Sequence, residues 1–208
     1  MNRLERIKGC LLGGAVGDAL GAPVEFLEWP AIEAKFGPHG IVDFSPAYGI
    51  TGAITDDTQM MLFTAGGLMR AYVRGSSGHT CHVPSVIHHT LLRWLMTQDQ
   101  QPAVSVSTDG WVFKEALAIG LWCALSADSL EDGVIKTVNH SGDSDSTGLI
   151  AGHLLGIQYG SAAIPARRLK QVALREVIEQ IAEDFERVPW EWNGGEFDPQ
   201  IDGAYPGR

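Results

Sequence analysis

Gly9-Cys10-Leu11-Leu12-Gly13-Gly14-Ala15-Val16-Gly17-Asp18-Ala19-Leu20-Gly21 places glycine at every fourth position of an apolar, helix-like run. A second series, Gly148, Gly152, Gly156 and Gly160, repeats the same step later in the chain. Each glycine costs a helix interior roughly 1 kcal/mol against alanine, so both series need a compensating reason. A four-residue period lines the glycines along one ridge of each helix. A ridge without side chains lets a second backbone approach closely. Both helices are therefore expected in the middle of a bundle, where their ridges can face each other.

The rest of the chain is also helical in pattern. Ile7, Leu11, Val16 and Leu20 give an apolar face over residues 4–20. Met60, Phe63, Leu68 and Tyr72 mark a second helix ending at Gly75-Ser76-Ser77-Gly78, and Val86, Leu91, Trp94 and Leu95 a third, with Pro84 in its first turn. Phe113 to Leu125, Leu130 to Val138, residues 147–160 and Val172 to Phe185 follow, the last ending before Pro189. A short helix is expected after Pro30, stopped by Gly37. Only Ile41-Val42-Asp43-Phe44 and Val104-Ser105-Val106-Ser107 hint at strand. The fold class is all-α. The expected organisation is one domain over residues 1–187, with a turn-like linker at 97–110 and a surface tail at 188–208.

The chain has 208 residues, of which 45% are hydrophobic, enough to bury a real core. Its net charge of −10 disfavours general nucleic-acid binding. Cys10, Cys81 and Cys123 are scattered and odd in number, as expected of reduced thiols in a cytoplasmic protein. No signal-peptide core follows the first residues, and the apolar run to Leu20 is too short to span a bilayer.

Two segments carry chemistry. Ile54-Thr55-Asp56-Asp57-Thr58-Gln59 and Asn139-His140-Ser141-Gly142-Asp143-Ser144-Asp145-Ser146-Thr147 each precede a helix. Either alone reads equally well as a helix cap with acids in the first turn. An EF-hand loop counted from Asp143 fails, because its twelfth position is Leu154 rather than an acid. Together, the two segments put carboxylates and hydroxyls at two helix starts. Crowded carboxylates repel one another unless cations neutralise them. Oxygen donors without His or Cys suit magnesium, manganese or calcium rather than zinc.

Gly13 to Glu25, Thr55-Asp56-Asp57-Thr58 and Asn139 to Gly148 occur in an order that closely resembles the ADP-ribosylglycohydrolase family. Glu115-Ala116-Leu117-Ala118-Ile119 is similar to the helix before that family's second metal motif. The resemblance implies a compact orthogonal bundle and two Mg2+ or Mn2+ ions held by Thr55, Asp56, Asp57, Asp143, Asp145 and Ser146. It assigns catalysis to Glu25 and Asp57, and substrate contacts to Glu25, Gly142 and Ser144. The implied partner is ADP-ribose or an ADP-ribosylated protein. Asp18 is read first as a buried structural acid. His140 is read as a hydrogen-bonding neighbour of the site, and His79, Cys81, His82 and the His88-His89 pair as ordinary loop and surface residues.

The family's long helical stretch between the two motifs, with its Ser/Asn-Gly loop and Met-Arg element, has no counterpart between Met96 and Gly110. Part of the central helices is thus expected to be missing. Exposed apolar area, and a homodimer that covers it, would follow. The readings are a metal-dependent ADP-ribosyl hydrolase, a binding module without turnover, or a hydrolase of another nucleoside- or phosphate-containing substrate.

Overall fold

The computed structural model describes residues 1–98, 111–192 and 198–206. It is helical almost throughout, as the periodicity indicates. The chain forms two compact units, one comprising Met1–Thr58 and Ser107–Glu179, the other Gln59–Val106 and Gln180–Arg208.

In the first unit, α1 (Arg3–Gly21) starts on a capping box: Asn2 accepts from the Glu5 amide, and the Glu5 carboxylate accepts from the Asn2 amide. From Leu12 to Gly21 every residue of α1 is buried. Such a helix must be surrounded by other elements. α2 (Trp29–Phe36) begins with Pro30 in its first turn and ends at Gly37, whose φ is 85°. α5 (Trp111–Leu125), α6 (Leu130–Val138) and α7 (Ser144–Tyr159) follow, then α8 (Ala166–Leu169). The Ser129 side chain caps α6 by accepting from the Asp132 amide.

α1 and α7 run antiparallel with their glycine ridges in backbone contact. A methyl group on Gly9 would strike the Gly156 carbonyl, one on Gly13 the Gly152 carbonyl, and one on Gly17 the Gly148 carbonyl. The converse holds for Gly148, Gly152 and Gly156, each of which faces the carbonyl of its α1 partner. The ridges therefore meet glycine on glycine. This contact carries the end of α1 to the start of α7, where Gly21 abuts Ser144 and Asp145.

Strand occurs elsewhere than expected. Ile41 to Phe44 is irregular, and the pairing lies just beyond it, β1 (Pro46–Ala47) against β2 (Ile50–Thr51). The two-residue turn, Tyr48-Gly49, has φ of 51° and 86°, the double positive that a type I′ hairpin demands. The Val104–Ser107 expectation lies outside the described residues. α7 starts at Ser144 rather than near 147, so Asp145 and Ser146 sit in its first turn. On α5, Leu117, Leu121 and Leu125 remain exposed.

In the second unit, α3 (Asp56–Ser76) continues from its first-unit start, and α4 (Val83–Leu95) follows. α9 (Arg175–Glu191) does not stop before Pro189, and α10 (Pro199–Ala204) follows it. The tail thus contributes to a core: Val188, Trp192, Ile201 and Tyr205 pack with Met69 and Val73. A proline inside a helix costs about 3 kcal/mol. Burying several large side chains at about 1.5–3 kcal/mol each outweighs it. The sequence pattern weighed the proline without the packing.

Candidate metal centre

The start of α3 is fixed by Asp18, which is fully buried on α1. Its carboxylate accepts from the Thr55 amide at 3.0 Å, from the Thr58 amide at 3.2 Å, and in a short hydrogen bond from the Thr58 hydroxyl. Burial pushes Asp18 up to about 6, against the opposing pull of these donors. The Thr55 hydroxyl oxygen accepts from the Asp57 amide at 3.2 Å, so it caps the helix.

The start of α7 is held by the glycine contact and by Asp143, whose carboxylate accepts from the Ser146 amide at 3.3 Å. The two starts then meet. The Ser146 hydroxyl donates to the Asp57 carboxylate at 2.6 Å. Oxygens of Asp57, Asp143 and Asp145 all lie within 4.8 Å of one another. Burial, then neighbouring carboxylates, raises Asp57, although its bond from Ser146 opposes the shift. Burial raises Asp145 as well, followed by its hydrogen bond with Asp143 and the charges of Glu25, Asp57 and Asp143. Three hard oxygen donors this close together fit a divalent cation, which supplies the missing positive charge.

Asp56 is exposed and stands outside this close group, though its charge acts on Asp57 and Glu25. Glu25 is half-buried and follows the single 3-10 turn (Ala22–Val24) after α1. Burial raises it, and the charges of Asp143, Asp56 and Asp57 add to the shift. Its carboxylate accepts from the Tyr48 hydroxyl at 3.2 Å. Tyr48 was missed by sequence reasoning. Its signal was the Tyr-Gly turn, which aims the ring back toward Glu25.

The Gly142 carbonyl accepts from the Phe26 amide at 2.8 Å, joining the two loops beside the cluster. Both residues adopt positive φ, Phe26 at 56° and Gly142 at 119°. Next to Asp143 lies a cavity of about 180 Å3, with Phe26, Glu115, Ile119, His140 and Gly142 among its walls. Phe26 is another residue that the sequence did not single out. His140 bridges within its own segment, Nδ1 to the Ser141 carbonyl at 2.7 Å and Nε2 to the Thr147 hydroxyl at 2.9 Å. Ser144 is fully buried, and its hydroxyl donates to the Gly142 carbonyl at 3.5 Å.

The sequence profile of the ADP-ribosylglycohydrolase family, a hydrolase-type family, matches residues 1–108 and 99–194 of this helical chain. The chain belongs to this family. It is 28% identical over 91 residues to ADP-ribosylarginine hydrolase Tri1 of Pseudomonas putida (strain GB-1), a match covering 43% of this chain and 24% of that protein. It is 43% identical over 68 residues to an uncharacterized protein of Archaeoglobus fulgidus, covering 31% and 22% respectively. The matched stretches thus span about a quarter of each relative. A solved structure titled ADP-ribosylglycohydrolase-related protein complex superposes with a TM-score of 0.60 over 86% of this chain and 96% of that one. At 21% identity that likeness shows the fold. The two profile segments overlap at residues 99–108.

Proposed function

We propose that the protein is a divalent-metal-dependent hydrolase that releases ADP-ribose from a modified protein or other acceptor. The observation that carries this reading is the meeting of Asp57, Asp143 and Asp145 beside a small cavity. Two Mg2+ or Mn2+ ions, held by Thr55, Asp56, Asp57, Asp143, Asp145 and Ser146, would supply Lewis-acid polarisation and an activated water.

The remaining chemistry belongs to the chain. Ser146 orients Asp57 through its hydroxyl. Tyr48 fixes the Glu25 carboxylate. Glu25, raised from the ordinary carboxylate range, is suited to take a proton from the attacking water and return it to the departing acceptor atom. The cavity lined by Phe26 and Gly142 gives the sugar a place beside the carboxylates. The ADP-ribosylarginine hydrolase named among the relatives makes ADP-ribosylarginine the first substrate to try.

The test follows free ADP-ribose released from ADP-ribosylated arginine, serine and nucleic-acid ends with Mg2+ or Mn2+. Turnover that vanishes on chelation and in Asp57→Asn is expected. Equal turnover in a chelator overturns the reading. The family match falls in two overlapping pieces rather than one, which favours one alternative, a binding module. Saturable ADP-ribose binding without product release would decide for it.

A further inference from the structure

In a chain of net charge −10, five basic side chains gather around one groove of the second unit. Arg70 and Arg74 stand one turn apart on α3, His82 immediately precedes α4, and Ser85, His89 and Arg93 follow one stripe of that helix. They line a cavity of about 470 Å3, and no carboxylate is among the described residues of its wall. All these residues belong to the second unit, whereas the carboxylate cluster belongs to the first.

The groove is built rather than accidental. Arg93 donates to the Thr90 hydroxyl at 2.9 Å, and the buried Thr90 donates in turn to the Val86 carbonyl at 2.8 Å. The Arg74 Nε donates to the Thr80 carbonyl at 3.0 Å. His89 Nδ1 donates to the Ser85 carbonyl at 2.7 Å, and His82 Nδ1 pairs with the Ser85 hydroxyl at 2.7 Å. α4 begins at this wall with no side-chain hydrogen bond capping its first turn, so the positive end of its dipole adds to the field. Arg70 is held below its ordinary value by burial and then by the charge of Arg93. Like charges are thus brought together, with no acid among the described wall residues between them.

We infer that this groove binds a phosphate-type polyanion, with Arg70 and Arg93 as its principal contacts. The guanidinium fork matches paired phosphate oxygens, and an anion between the two arginines turns their repulsion into attraction. The described wall is dominated by basic side chains and holds no Phe, Tyr or Trp, which suits the diphosphate as the group recognised.

The test uses the full chain, stripped of metal so that the carboxylate site does not draw the anion. Calorimetric titration with pyrophosphate is expected to show saturable one-site binding. Arg70→Gln and Arg93→Gln should each weaken it at least tenfold, and Asp57→Asn should leave it unchanged. ADP in a parallel titration separates the sources: equal affinity assigns the site to the diphosphate alone, and tenfold tighter binding assigns it to a nucleotide. If an arginine variant does not fold, the ring-proton resonances of His82 and His89 in the unaltered protein give the reading. Both should shift saturably with pyrophosphate. Absence of saturable binding, equal binding in the folded arginine variants, or unmoved histidine resonances would overturn the inference.

Discussion

The Ser146 hydroxyl donates to the Asp57 carboxylate at 2.6 Å across 89 residues of sequence, joining the first turns of α3 and α7. That bond connects two segments that sequence alone could not distinguish from helix caps. A hydrogen bond to a charged group is worth about 1.5–3 kcal/mol. Ser146→Ala should therefore weaken Mn2+ binding roughly tenfold or more, since a factor of ten is about 1.4 kcal/mol. Calorimetric titration with Mn2+ measures this, and unchanged affinity would show that the bond does not organise the site.

Metal should also change how stability responds to pH. Glu25, Asp57 and Asp145 are raised in the fold. Asp18 is raised from 3.8 to about 6. A carboxyl group raised on folding keeps its proton longer in the folded state than in the unfolded one. Stability is then lost as pH rises through the window between the two values. For Asp18 that window runs from 3.8 to about 6. A bound cation favours the ionised form of the clustered carboxylates, so it offsets their share of this loss. The gain in Tm on adding Mn2+ should be larger at pH 8 than at pH 5. A gain independent of pH would place the metal elsewhere.

Much of this site is legible in the sequence, and the reasons are local. The four-residue glycine step allows close approach only along one ridge, so the central place of both helices is legible from spacing, while the register that sets Gly13 on Gly152 is not. Asp57, Asp143 and Asp145 stand beside strong helix-start signals. Tyr48 was not legible, because its role depends on a hairpin turn that swings it 23 residues back to Glu25. The burial of Ser144 was not legible, because α7 begins earlier than its apolar pattern suggests. The C-terminal helices were hidden by Pro189, whose cost is visible locally while the burial that outweighs it is not.

Asp18 offers a sharper test of how the site is positioned. Three donors from Thr55 and Thr58 converge on its carboxylate. Asp18→Asn keeps the shape but replaces one acceptor oxygen with a donor, which then faces donors. The cost should be about 1–3 kcal/mol of stability. Mn2+ affinity should fall with it, since Asp57 follows the same anchored turn. Thermal denaturation and Mn2+ titration of the variant check both. A stable variant with reduced affinity would limit Asp18 to positioning, and a variant matching the parent in both would refute this role.

The glycine ridge can be tested against an internal control. Gly17→Ala would drive a methyl group into the Gly148 carbonyl, and Gly148→Ala would meet both the Gly17 carbonyl and the Val138 side chain. Backbone cannot yield as a flexible side chain does, so α1 and α7 must separate, and overpacking of this kind costs about 1–3 kcal/mol or more. Gly66 lies within α3 with nothing near the position of its missing methyl group. Gly66→Ala should instead add about 1 kcal/mol through helix propensity alone. Chemical denaturation of the three variants should give opposite signs for the ridge and the control. Because the ridge carries Asp145 and Ser146 to the start of α3, the ridge variants should also lose Mn2+ affinity, while Gly66→Ala retains it. Destabilisation without loss of Mn2+ affinity would mean that the carboxylates hold their arrangement without the glycine contact.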